Sequence, residues 1–115
     1  MAHTVTLLAD HKGYTNPRVV GDEYVVDASL LVTTATSGGE VVTAASLGLS
    51  SISCVTITGN SIPATHQVDV EISAAGAYES SSSFALLFTA NDGTNAAANG
   101  NITDTTVRVR VWGNL

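Results

Sequence analysis

The sequence predicts an all-β fold: a single-domain antiparallel β-sandwich or jelly-roll-like arrangement with one short helical turn near residues 43–48. Three observations carry this. Val, Ile and Thr together number 34 of 115 residues and favour pleated backbone, while charged residues make up only 12%. Short alternating runs, six or seven in all, are separated by clusters of Gly, Pro, Asn, Asp and Ser. The length matches one core, and neither an internal repeat nor a dividing linker interrupts it, so residues 1–115 read as one domain.

Thr4 to Ala9 alternates weakly ahead of the turn cluster Asp10-His11-Lys12-Gly13. It reads as an edge strand or as part of an extended N-terminal arm over residues 1–16. Asn16-Pro17 marks a break, because proline lacks an amide for a ladder and biases its predecessor away from helix. A strand region follows from Arg18 to Thr34, with Gly21-Asp22 as a bulge or turn inside it. Tyr24, Val26, Ala28, Leu30 and Val32 share one face. The other face, Val25, Asp27, Ser29 and Leu31, is partly apolar, which fits a central strand or one half covered by a neighbouring subunit.

Gly38-Gly39 breaks that run and opens a loop. Thr43 stands where a helix N-cap would, Ala44, Ala45 and Leu47 are adequate helix formers, and Gly48 limits the helix to about one turn. Leu47 and Leu49 are placed to plug the end of a sandwich as the chain re-enters it along the strand Ser51 to Thr58. Gly59-Asn60-Ser61 with Pro63 is a turn cluster. The cleanest alternation follows, His66, Val68, Val70 and Ile72 facing one way and Gln67, Asp69, Glu71 and Ser73 the other. Ser73 to Ser83 is a low-complexity run of small residues expected as a surface loop. Phe84 to Ala90 is a buried strand, and Asn91 to Asn101 a long small-residue connection. In the last strand, Asp104 to Trp112, Val107, Val109 and Val111 face inward, opposite Thr106, Arg108, Arg110 and Trp112.

Four basic residues against ten acidic ones give a formal charge of -6, a field that repels phosphate backbones and argues against nucleic acid as a partner. Aromatic residues at 5% leave little for base or sugar stacking. The single Cys54 excludes an internal disulfide and, with no helix N-terminus or basic neighbour in sequence, reads as a small apolar filler. The N-terminus lacks a basic start followed by a long apolar core, so the expectation is a soluble product of the cytoplasm with no membrane contact.

Reactive chemistry finds no framework. Ser, His and Asp are present without a nucleophile elbow. His3, Asp10 and His11 match no metal-ligand spacing, and Asn91-Asp92-Gly93-Thr94-Asn95 lacks the acidic count and distal glutamate of a calcium loop. His66 reads as a hydrogen-bonded core or rim histidine. Asn101-Ile102-Thr103 fits a glycosylation acceptor but has no secretion signal behind it. No catalytic, metal or cofactor-binding residue is assigned, and no enzyme is expected.

The exception is the last strand, where Arg108 and Arg110 hold half the positive charge and share a face with Trp112. Such a face is either solvated or a contact surface for an acidic partner, since Arg and Trp are enriched where interfaces carry their energy. His11, Lys12 and Tyr14 of the N-terminal segment are candidates for the same role, as residues able to drape on a neighbour.

Gly38-Gly39-Glu40, Thr43-Ala44-Ala45, Leu47-Gly48-Leu49 and Ser51-Ile52 occur in order, preceded by Arg18-Val19-Val20-Gly21 and closed by Val107-Arg108-Val109-Arg110-Val111-Trp112-Gly113. With these runs the chain resembles a group of small virion proteins of tailed bacteriophages. The resemblance covers about half the chain and rests on fold-determining residues; the segments Ser73 to Ser83 and Asn91 to Asn101 depart from the pattern. It implies a capsid decoration, or cement, protein on the outer head surface, usually a homotrimer, with the major capsid protein as partner and no cofactor. The alternatives are a head-tail connector or tail component, or a receptor- or glycan-binding β module. On the decoration reading, removing residues 1–13 or reversing the charge of Arg108 and Arg110 is expected to weaken capsid occupancy while the domain stays folded.

Overall fold

The computed structural model describes residues 2–9, 12–21, 23–34, 40–61, 63, 66–72, 81–90 and 105–115. In chain order the elements are β1 (Ala2–Leu7), β2 (Arg18–Val20), β3 (Glu23–Thr34), β4 (Glu40–Thr43), a 3-10 turn (Ala45–Leu47), β5 (Ser51–Asn60), β6 (His66–Ile72), β7 (Ser83–Ala90) and β8 (Thr105–Asn114). Every pairing is antiparallel, in two sheets: a larger one ordered β1-β3-β8-β5 with β2 also on β3, and a smaller one ordered β4-β7-β6. The fold is thus the expected all-β sandwich-like domain with one short helical turn.

Among the described residues there are eight strands where six or seven were expected, for two reasons. The region from Arg18 splits into a hairpin, Val20 pairing with Glu23 across a connection that begins at Gly21 with φ +65°; a two-residue hairpin loop needs that left-handed backbone. Glu40–Thr43, read as loop, is a strand paired with β7 from Glu40↔Leu86 to Thr43↔Ser83. Four residues are too few for a period to register in sequence.

The inner faces form one core. Val26, Ala28, Leu30 and Val32 of β3 and Val107, Val109 and Val111 of β8 meet Val42, Phe84, Leu86 and Phe88 of the smaller sheet, all buried. Val68, Val70 and Ile72 of β6 pack against this core while Gln67, Asp69 and Glu71 are exposed, as the alternation predicts. Leu47 and Leu49 are buried in the same cluster, plugging its end. The Thr43 hydroxyl does accept the Ser46 amide, at 3.4 Å, but the turn begins at Ala44 with no side-chain cap. It stops at Gly48, whose φ of +79° closes it with a bond to the Ala45 carbonyl at 3.2 Å.

Two expectations are corrected, and one alternative is resolved. Cys54 is exposed and fills nothing. In β5, Ile52 pairs with Gly113 and Cys54 with Trp112, so Ser53 is an extra residue, a bulge that changes which positions face the core. That shift lets Ile52 point inward together with Val55 and Ile57, against strict alternation, and turns Cys54 out. Second, the end of the Ser73 to Ser83 run is not surface loop. Ser81 is buried and joins the sheets, exchanging backbone bonds of 2.7 and 2.9 Å with Ile52; residues 73–80 lie outside the described residues, as do Gly38-Gly39 and 91–101. Of the two settings weighed for the N-terminal segment, residues 2–7 take the edge strand. β1 pairs with β3 from Ala2↔Thr34 to Leu7↔Ala28, with Val5 and Leu7 against the core. Deleting residues 1–13 therefore removes a strand, and the truncated domain is not expected to keep its fold intact.

Beside the bulge, backbone meets backbone. A methyl group on Gly113 would lie 1.9 Å from the Ser51 carbonyl oxygen, so only glycine lets β5 approach β8 there. Gly113→Ala is expected to cost at least about 1–3 kcal/mol by forcing the strands apart. Chemical denaturation measures it, and a wild-type midpoint would refute the close approach.

Candidate functional site

The outer face of the larger sheet carries three of the four basic residues of the chain, Arg18, Arg108 and Arg110. Antiparallel register sets their neighbours, because residues opposite one another on the same face are in reach. One cross-strand row is Thr6, Ser29, Arg108 and Gly59; the next is Asp27, Arg110 and Thr56; a third is Arg18, Val25, Trp112 and Cys54.

At the centre lies Asp27, outward-pointing yet only 7% exposed. Arg110 grips it with two parallel bonds, Nε to Oδ1 at 2.8 Å and an Nη2 bond to Oδ2 at 3.1 Å, and Arg18 Nη2 adds a third to Oδ2 at 2.9 Å. The fork geometry of guanidinium suits a carboxylate. Arg110 is the direct register partner of Asp27, and Arg18 its diagonal neighbour through Val25. Both Arg side chains and Trp112 stand over the strand, which explains why Val25 and Asp27 are buried on the outer side. β3 is therefore a central strand, the first of its two predicted settings. The Arg110 hydrogen bonds, reinforced by Arg18 and opposed by burial, lower the Asp27 carboxyl from an ordinary 3.8 to about 2.

Arg108 and Arg110, read from sequence as equivalent, are not. Arg110 is committed to Asp27. Arg108 is exposed and has no hydrogen-bond or ion-pair partner among the described residues. Small residues flank it: Ser29 on one side, and on the other Gly59, where an added methyl group would lie 3.4 Å from the Arg108 Cβ. Its guanidinium can thus be approached from either side. Trp112 is half-buried in the row beyond Arg110.

The N-terminal candidates fall elsewhere. After β1, the Leu8 amide donates to the Asp27 carbonyl at 2.9 Å, and pairing to β3 resumes at Arg18↔Val25. Residues 9 and 12–17, the described residues between those points, belong to no strand. Lys12 and Tyr14 are among them, both exposed, outside the cross-strand rows; His11 lies outside the described residues.

A second polar pair had no signal in sequence. His3 Nδ1 lies 2.6 Å from Oε2 of Glu40, whose side chain is wholly buried. Of the candidate metal cluster, His3 is thus engaged with Glu40; the other members, Asp10 and His11, lie outside the described residues. Among the described residues no group of three or more His, Cys, Asp or Glu is placed to hold a metal ion, and no helix is long and apolar enough to cross a membrane. Asp69 and Glu71 give the exposed face of β6 the opposite sign to the Arg face. Comparison with family models, curated proteins and solved structures returns no match to this chain.

The Asp27 network makes a pH prediction. Because the folded carboxyl ionises at lower pH than the unfolded one, its stabilisation is present above about 3.8 and lost as pH falls through about 2. Discounted for the partial exposure of both arginines, it amounts to roughly 1–2 kcal/mol. Asp27→Asn should remove that acid limb from a stability-against-pH curve and lower stability at neutral pH; parallel curves for the two proteins would contradict the assignment.

Proposed function

We propose that this protein is a structural virion component, a capsid decoration or cement protein that binds the outer head surface of a tailed bacteriophage through the outer face of its larger sheet. The observation that carries the reading is Arg108, an exposed and uncommitted cation on a stiff sheet in a protein of net charge -6. The resemblance in the Gly38 to Ile52 region and in the closing strand supports the same role.

A cement works by area and rigidity. Contacts across several shell subunits must all break before the lattice opens, so binding to the assembled shell stabilises it. The reading requires no reactive group. A sandwich whose central strands are locked by a bidentate ion pair offers a surface that loses little entropy on docking. The partner is the major capsid protein, presenting carboxylates to Arg108, with Trp112 as apolar anchor. The acidic remainder of the molecule is repelled by packaged genome. A homotrimer would multiply the contact, each copy adding its face at a high effective concentration.

The two arginines now have different expected phenotypes. Arg108→Glu should leave the domain folded and reduce occupancy of decoration-depleted particles by about tenfold or more, a loss of about 1.4 kcal/mol at the interface. Arg110→Glu should also destabilise the fold, because it sets a second carboxylate against Asp27. Sedimentation of particles with added protein, alongside thermal denaturation, reads both. Full occupancy by the Arg108 variant would remove this face from the proposal, and absence of the protein from purified particles would end it.

A further inference from the structure

We infer that free copies of this chain stack head to tail, the outer face of the larger sheet of one copy docking on the outer face of the smaller sheet of the next, with Arg108 set against Asp69 and Glu71. The inference does not rest on the proposed function.

The two outer faces are opposite in sign and alike in layout. On the larger sheet, Leu31 is opposite Thr4 and Thr106, one row along from Arg108, so the two are diagonal neighbours about 7–8 Å apart. Both are exposed, Leu31 at 39%. On the smaller sheet, Leu87 of β7 is opposite Asp69 of β6, and the next row runs Val41, Ala85, Glu71. The same diagonal therefore separates Leu87 from Glu71. Asp69, Glu71 and Val41 are exposed, Leu87 partly so. Neither carboxylate has a hydrogen-bond or ion-pair partner among the described residues. Each face thus sets an aliphatic side chain beside charge that the fold leaves unused, one cation on the first and two anions on the second.

Seating Leu31 on Leu87 carries Arg108 over β6, within reach of two carboxylates spaced about 6.6 Å apart along the strand. A guanidinium can fork one of them or bridge both. Like faces exclude one another, because two larger-sheet faces would set Arg108 against Arg108 and two smaller-sheet faces would gather four carboxylates. Only the mixed contact joins opposite signs. It is heterologous, and since its two faces are on opposite sides of a sandwich, it repeats along a stack instead of closing with two copies. The formal charge of -6 repels copies at long range, but physiological salt screens that repulsion beyond about 8 Å, while the contacting pair is closer. The smaller face is three strands wide and seven residues long, roughly 300 Å² at ordinary strand spacing. A stable pair buries about 800 Å² per partner, so the stack is weak, reversible and dependent on concentration.

Sedimentation velocity of the wild type should show an average mass that rises with concentration at about 0.15 M salt and returns to monomer at about 1 M. Arg108→Glu alone and D69K/E71K alone should both remain monomeric, since each sets like charges together at every contact. Mixed in equal amounts, they should associate again, with an apparent affinity at least about tenfold above that of either alone. The intact arginine of the second then meets the intact carboxylates of the first, and the two reversed faces meet each other. A monomeric wild type, association unchanged in either variant, or a mixture that stays monomeric overturns the inference. The wild type gives a readout independent of how the variants fold: on raising concentration, NMR amide shifts should cluster around Arg108 and around Asp69. Shifts confined to one face, or none, overturn it equally. A capsid shell would compete for the same arginine, so D69K/E71K should keep wild-type occupancy of decoration-depleted particles while losing self-association, and the two readings fail separately.

Discussion

The register of β3 against β8 is the constraint on which the rest depends. Val26 lies opposite Val111, Ala28 opposite Val109 and Leu30 opposite Val107, so both inner rows enter the core together. On the outer side the same register sets Asp27 against Arg110, where two bonds form at once. A one-residue slip would turn every side chain to the other face, burying Arg110 and exposing the valines. Burial fixes the register from inside and the ion pair fixes it from outside. Every other element of the larger sheet docks on this ladder, β1 and β2 on one edge and β5 on the other.

The two open sides of the sandwich are closed by different chemistry. Near β5, backbone does the work: Ile52 and Ser81 bond reciprocally across the sheets, and the Asn60 side chain donates to the His66 carbonyl at 3.1 Å. Near β4, the two sheets are bridged by a side-chain pair, His3 with Glu40. Opening β1 breaks its ladder to β3, the core packing of Val5 and Leu7 and the His3–Glu40 pair, whereas opening β5 breaks its ladder to β8 and its bridge to Ser81. The Arg face lies mainly on β3 and β8, whose ladder holds the sheet together.

The strands themselves were legible in sequence because alternation and turn residues are local signals. The faces of β3, β6 and β8 followed from a period of two, and the end-plugging role of Leu47 and Leu49 from their place behind Thr43 and before Gly48. β4 was too short to show a period. The outward turn of Cys54 was not legible, because it depends on Ser53 being an extra residue in the ladder to β8. Arg108, Arg110 and Trp112 were visible as a cationic face in an acidic chain, but their equivalence was an artefact of seeing one strand at a time.

Composition and periodicity by themselves determined the class of fold, its single-sequence strand pattern, the position of the helical turn and the sign of the charge on the last strand. Only the tertiary structure decided that Arg110 is spent on Asp27 while Arg108 has no ion-pair partner among the described residues, and that His3 reaches a buried Glu40. Those partners lie 83 and 37 residues apart. Sequence pattern encodes which way a side chain points relative to its own strand, whereas such pairings depend on strand order and register, which are fixed only when the sheets close on a shared core.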